Sequence, residues 1–377
     1  MSSSTTAQYR AVFLQKNGTK ISAELQSRDI PKPVSGSVIV RILAASVRAN
    51  SPEVYRDPFS NHQLPFPFVP GHTAIGRVFD AASDATKLKK GQLVFFDPYI
   101  QARDRGGIYV SGLMEGFNAD SLNLSRGEWR DSTYADYAKL PLENCHPLDE
   151  ERLLGEIGQN GLGYTVEDLT HLFSMLVPFG GLADMDLKPG DYIIIAPATG
   201  RHGSAAVHLA LAMGAHVIAI GRNTEVLSHI ASINSRISTV TLTNNVERDT
   251  KSLREACRGP IDAFWDMSPM AAESSTHFRS CLNVLKPGAQ VCLCGSPLTE
   301  VKFSYLDILI GKLKIAGSWM STPEQTQRLI RLVETGLLPL GQKAGMGPVR
   351  TFALEDWEKA WDAADLAREP GEIVIAP

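Results

Sequence analysis

Along the first hundred residues, hydrophobic positions come in short runs punctuated by Gly and Pro: "YRAVFLQ", "GSVIVRILAASV", "AIGRVFDA" and "GQLVFFDP". Apolar side chains two residues apart share one face of a pleated strand, so these runs predict strands and a β-rich domain. Residues 101–135 are polar, Gly-rich and without period. They read as a long loop, and a long loop inside a compact domain is more often functional than idle. "YADYAKLPLENCHPL" returns to strands.

After about residue 185 the period changes. "DYIIIAPATGRHGSAAVHLALAMGAHVIAIGRN" reads as strand, Gly-containing turn, helix and strand. Its first strand is one continuous apolar run, as in a parallel sheet covered on both faces. The alternation continues, with "STVTLT", "IDAFWD", "AQVCLCG" and "KLKIAGSW" as strands and "NVERDTKSLREAC" and "AAESSTHFRSCLNVL" as helices. Strands and helices alternating at this spacing predict a doubly wound α/β domain. Two more helices, "PEQTQRLIRLVETG" and "LEDWEKAWDAADLA", precede a terminal strand, "GEIVIAP".

At 377 residues the chain has material for two domains of ordinary size. Apolar residues make up 44% and charged residues 21%, the balance of a soluble globular protein. The net charge is −4, and no basic run is long enough to track a phosphate backbone, which argues against nucleic-acid binding. The N-terminus "MSSSTTAQYR" lacks the apolar core of a secretory signal. No apolar segment approaches the roughly 20 residues of a membrane span. The expectation is a cytoplasmic protein. Five cysteines sit mostly in apolar patterns and read as reduced core residues. Cys292 and Cys294 share a strand face, but with no second pair they are not read as a metal site.

Candidate chemistry starts at "ATGRHG", Ala198 to Gly203, which lies between a predicted strand and a predicted helix. It fits the dinucleotide fingerprint with alanine at the first glycine position. Gly200 would let a pyrophosphate approach the backbone, and Gly203 would let helix and strand pack closely. The helix start, with Arg201 and His202 in it, offers unpaired N–H groups and a positive dipole end. Nineteen residues after Gly203 stands Arg222, between Gly221 and Asn223, where an acid would bind an unphosphorylated ribose. A guanidinium there suits a 2′-phosphate, so the expected cofactor is NADPH. Thr199, Asn223 and Gly295 complete the expected cofactor-binding set. The alternatives are a tight turn without ligand and a solvated arginine.

With these segments in this order, the chain resembles the medium-chain dehydrogenase/reductase superfamily over nearly its whole length. The resemblance rests on "YRAVFL…RDIPKPVSGSVIVRILAASV", "PGHTAIGRV", "STYADYAKLPLENCHPL", "LKPGDYIIIAPATGRHG" and "LEDWEKAWDAADLAREPGEIVIAP". It implies an α/β protein with a GroES-like β-rich domain over residues 1–180, completed by 325–377, and a Rossmann domain over 181–324. It also implies a homodimer through "KLKIAGSWM".

The zinc-dependent branch of that superfamily takes a cysteine after the strand "RILAAS", the histidine of "PGHTAIGRV" and a third ligand before the nucleotide domain. In this chain Arg48 stands at the first place, Thr73 replaces the acid beside His72, and "HLFSMLVPFGG" offers no cysteine. One imidazole does not hold zinc. The four-cysteine lobe is also missing, since residues 97–135 contain no cysteine. The expectation is therefore no metal. His72 is then either a hydrogen-bonded structural residue or a polar contact in the site.

Asn50-x-x-Glu53-x-Tyr55 is similar to an Asn-x-x-Asp-x-Tyr stretch of the zinc-free quinone and enoyl reductases, given a two-residue insertion. By that resemblance Tyr55 is the candidate acid and Asn50 orients nicotinamide or substrate. Without the insertion Arg48 takes the lost ligand position, where a guanidinium would stabilise an oxyanion. Either residue could also be a plain packing or surface residue. Tyr99, Tyr109 and Trp129 would suit a pocket for an apolar or aromatic small molecule. The leading expectation is NADPH-dependent reduction of an activated C=C bond. Zinc-free carbonyl reduction is the alternative, and a nucleotide-binding protein without redox turnover is the third reading.

Overall fold

The computed structural model describes residues 7–272, 274–297, 300–367 and 369–377. The chain divides into two units. The first takes the residues up to Phe173 together with Pro348–Ala367 and Glu372–Pro377; the second takes Ser174–Gly347 and the short segment ending at Gly371. Residues 174–180 and 325–347 thus group with the nucleotide-type unit, not with the β-rich unit to which the sequence reading assigns them. The helix Pro323–Glu334 explains part of this. It buries Leu329, Ile330 and Val333, and the Ser321 hydroxyl just before it donates to the Leu176 carbonyl at 2.5 Å.

In the first unit β1 (Gln8–Asn17) and β2 (Lys20–Asp29) form a two-stranded antiparallel ribbon. The main sheet contains β3 (Ser37–Ser46), β4 (Ala74–Ala81), β5 (Leu93–Phe96), β8 (Tyr137–Pro141) and β9 (Cys145–Pro147). β16 (Val349–Ala353) and β17 (Glu372–Ala376) return from the end of the chain, β17 pairing antiparallel with β3. The span 101–135 is more ordered than its composition suggests. β6 (Tyr99–Gln101) pairs with β7 (Ile108–Val110), and a helix covers Ala119–Arg126. Asn118 starts that helix by accepting the Ser121 N–H at 2.8 Å, a cap that substitutes for a hydrophobic period. Tyr109 is 2% exposed and its hydroxyl donates to the Trp129 carbonyl at 2.7 Å. Tyr109 belongs to the core of this unit, and Trp129 packs against that core. These two aromatics therefore do not carry the substrate pocket expected of them.

In the second unit the sheet is parallel, in the order β12-β11-β10-β13-β14-β15. The strands are β10 (Tyr192–Ala196), β11 (His216–Gly221), β12 (Ile237–Thr241), β13 (Ile261–Asp266), β14 (Leu285–Leu293) and β15 (Lys314–Gly317). Ile193, Ile194 and Ile195 of β10 are fully buried, as their unbroken apolar run requires of a central strand. The chain reverses its strand order at β10, the geometry that opens a ligand crevice at the carboxyl edge of such a sheet. "AAESSTHFRSCLNVL" does not form one helix: within it the α-helix is His277–Leu282, and residue 273 lies outside the described residues. Among the described residues no helix is long and apolar enough to cross a membrane.

Candidate active site

In the first unit, β3 ends at Ser46 and the chain turns through Arg48 into the short helix Ser51–Arg56, with Asn50 at its N-cap. Asn50 makes no side-chain cap bond; its Oδ1 instead accepts from Arg48 Nε at 3.4 Å. Arg48 Nη1 lies 3.4 Å from His72 Nε2. His72 is 6% exposed and sits in the segment leading into β4. Its backbone N–H donates to Thr133 Oγ1 at 2.9 Å, and the Thr133 hydroxyl donates back to the His72 carbonyl at 3.0 Å. These bonds fix the ring where the Arg48 turn meets it.

The donor chemistry fixes the tautomer. A guanidinium only donates, so Nε2 of His72 accepts and carries no proton. The proton is then on Nδ1, which lies 3.0 Å from Thr73 Oγ1 and donates to it. Thr73, at the place of the missing acid, orients the imidazole without adding charge. Arg48 thus reaches both Asn50 and His72.

Tyr55 packs beside them: its hydroxyl lies 3.4 Å from the carbonyl of Gly71, the residue before His72, and its phenol feels the Arg48 charge. It is 3% exposed, and its ring centroid lies 4.9 Å from that of Trp361. Its hydroxyl donates to the Gly112 carbonyl at 2.7 Å. Burial pushes the phenol well above its ordinary pKa. The helix turns Val54 and Tyr55 into the core and leaves Glu53 and Arg56 outside.

The zinc-dependent branch would place a metal here, and these residues do not fit one. A catalytic zinc takes three protein ligands. Nε2 of His72 faces a cation, and a guanidinium is no ligand. Among the described residues no group of three or more His, Cys, Asp or Glu could hold a metal ion.

The second unit fits a dinucleotide. Gly200 caps the helix Arg201–Ala212 without a side-chain bond, at the positive end of the helix dipole. A Cβ on Gly200 would meet nothing within 4 Å, so the backbone is open to close approach. A Cβ on Gly203 would lie 1.9 Å from the Pro197 carbonyl, so only glycine lets the helix start this close to the strand end. Gly221 makes room for the side chain of Thr199, 2.6 Å from its would-be Cβ. Arg222 is exposed at the end of β11 and forms no ion pair among the described residues.

Two expected cofactor residues have other engagements. Asn223 Oδ1 accepts from the N–H groups of Glu225 and Val226, both at 3.1 Å, so this oxygen caps the helix Thr224–Ile233. His202 Nδ1 lies 3.0 Å from the Ser174 carbonyl, so its ring is held against the protein backbone. Gly295 lies just past β14, against the backbone of Ser268. The sequence reading misses a buried cluster beside it, made of Asp266, Ser268 and His277. No local spacing links the three, although each is a polar residue next to an apolar run.

The alcohol dehydrogenase GroES-like domain matches residues 34–150, and the zinc-binding dehydrogenase domain matches residues 203–335. The chain belongs to the medium-chain dehydrogenase/reductase superfamily and is an oxidoreductase of that type. It is similar to the L-threonine 3-dehydrogenase of Chromobacterium violaceum, 21% identical over 94% of this chain and 97% of the relative. It is also similar to the alcohol dehydrogenase of a Moraxella species, 23% identical over 84% and 86% of the two chains. Among solved structures, a cobalt- and zinc-bound alcohol dehydrogenase from Pyrobaculum aerophilum covers 98% of the chain and is itself covered fully, with 20% identity and a TM-score of 0.72. An alcohol dehydrogenase of Escherichia coli CFT073 complexed with NADH matches at TM-score 0.74 and 16% identity, covering 98% of this chain and 99% of its own. These likenesses establish the fold.

Proposed function

We propose that the chain is a metal-independent, NADPH-dependent carbonyl reductase in which Arg48 polarises the substrate oxygen. The observation that carries this is the Arg48 guanidinium held against His72 Nε2 and Asn50 Oδ1. A guanidinium stays protonated at any physiological pH and presents several donors in one plane. Donors preset for a developing oxyanion do the work a metal would do as Lewis acid. The nicotinamide, when bound, would supply the hydride to the carbonyl carbon, and the oxyanion held by Arg48 would take its proton from water. His72 holds Arg48 in place and does not donate a proton through Nε2. Arg222, exposed beyond Gly221 at the end of β11, supports NADPH over NADH.

Reduction of an activated C=C bond is the second reading, because the same guanidinium would stabilise an enolate. The Tyr55 hydroxyl donates to the Gly112 carbonyl, an engagement that favours the carbonyl reading. Names of relatives that refer to alcohol oxidation also support chemistry at the C–O bond. The test is NADPH turnover on an aromatic α,β-unsaturated aldehyde, with chelator present and the product identified by mass and proton spectrum. An allylic alcohol supports the carbonyl reading, and a saturated aldehyde replaces it with the alkene reading. Cofactor binding without turnover on a wide acceptor panel favours the non-redox reading.

The proposal extends to assembly as a homodimer. β15 is an edge strand, and the helix Tyr305–Gly311 before it leaves Tyr305, Leu306, Leu309 and Ile310 more than half exposed. An open strand edge beside apolar side chains suits pairing with a second copy. Leu309→Lys should shift the sedimentation velocity of the protein from dimer to monomer, and an unshifted wild-type monomer would refute the assembly.

A further inference from the structure

Asp266 is the last residue of β13 and is 3% exposed. A carboxylate buried this deeply is costly unless donors surround it. The Ser268 hydroxyl donates to Oδ1 at 2.7 Å and the Ser268 N–H to Oδ2 at 3.2 Å. The third donor comes from another element. Nε2 of His277, the first residue of the helix His277–Leu282, lies 3.1 Å from Oδ1 and 3.0 Å from Ser268 Oγ. A carboxylate only accepts, so this nitrogen carries a proton. Ser275 Oγ lies 2.6 Å from the other ring nitrogen.

The cluster lies where two turns are joined at the carboxyl edge of the sheet. The Met267 N–H donates to the Ala196 carbonyl at 2.7 Å, which ties the turn after β13 to the end of β10, directly before the dinucleotide loop. The Cys294 N–H donates to the Asp266 carbonyl at 2.8 Å and the Ser296 N–H to the Ser268 carbonyl at 2.9 Å. Between them Gly295 has no room for a side chain, since a Cβ would lie 2.5 Å from the Ser268 carbonyl oxygen. The turns after β13 and β14 are thus zipped together, with the Asp266 carboxylate at the join.

A dinucleotide lies across the carboxyl edge of a doubly wound sheet with its pyrophosphate at the first helix. Arg222 assigns the adenosine half to the β11 side of β10. The strand order then leaves the other half over the ends of β13 and β14. We infer that His277 is a positioning residue for the nicotinamide half of the cofactor, acting through Asp266 and Ser268 on the turns 267–269 and 294–296. The inference rests on the dinucleotide reading given above.

The test is calorimetric titration of wild type and variants with two probes, adenosine 2′,5′-bisphosphate and NADPH. In His277→Ala the bisphosphate should bind as in wild type, while NADPH weakens about tenfold, as for loss of a hydrogen bond to a charged group. His277→Gln, whose amide can still donate to Asp266, should recover part of that loss. A purely structural histidine would lower both affinities together, so equal loss on both probes, or loss on neither, overturns the inference. Should His277→Ala fail to fold, Ser268→Ala removes a donor from the same carboxylate and is read in the same way. A wild type that binds neither probe nor NADH overturns the dinucleotide reading itself, and this inference with it.

Discussion

Two buried histidines, one in each unit, show how a neighbour decides what an imidazole does. His72 meets a guanidinium through Nε2, and His277 meets a carboxylate through the same atom. The first must accept there and the second must donate, so the two rings take opposite protonation at Nε2. The residue types beside each ring follow the same logic. Thr73 accepts the hydrogen bond of His72 Nδ1 without adding charge, while Ser275 stands at Nδ1 of His277. A histidine beside Arg48 can steady a cation for substrate oxygen. A histidine beside Asp266 can only brace an anion inside the fold.

The sharpest way to break the comparison is to remove the cation. Arg48→Ala should lower kcat by about 10²–10³-fold, the usual cost of one oxyanion donor, with folding intact by circular dichroism. Next in size, Arg222→Ala should cut the preference for NADPH over NADH by about 10–100-fold, read from kcat/KM with each cofactor. His72→Leu should reduce turnover about tenfold by freeing Arg48, and His72→Gln, which offers an accepting oxygen, should restore part of it. Smallest of all, Tyr55→Phe should leave kcat near the wild-type value and cost about 1 kcal/mol, seen as a fall in Tm of a few degrees. A collapse of turnover in Tyr55→Phe would return the phenol to the chemistry.

The fold was legible wherever a local pattern had one explanation. The apolar run of β10, followed by Gly200 and Gly203 at fixed spacing, reads the same in sequence and in space, because strand, turn and helix are adjacent along the chain. The first unit was legible as β-rich from its two-residue period. The helix Ala119–Arg126 was not, since a side-chain cap at Asn118 and hydrogen bonds hold it rather than a periodic apolar face. The motif around Tyr55 says nothing about which way a six-residue helix turns, and here Trp361, some 300 residues later, receives the ring. The pairing of Arg48 with His72 joins residues 24 apart in sequence, and the Asp266–His277 contact joins residues 11 apart. Both depend on where separate elements meet, and no run of residue types encodes that.

Chemical rescue distinguishes a guanidinium acting in the place of a metal from a lost metal site. Turnover of Arg48→Ala on the aldehyde would be followed with added guanidinium chloride at sub-denaturing concentration, and in parallel with zinc. The account predicts that guanidinium restores activity in a saturable way and that zinc does not. Restoration by zinc alone, or an Arg48→Ala enzyme as active as the wild type, would contradict it.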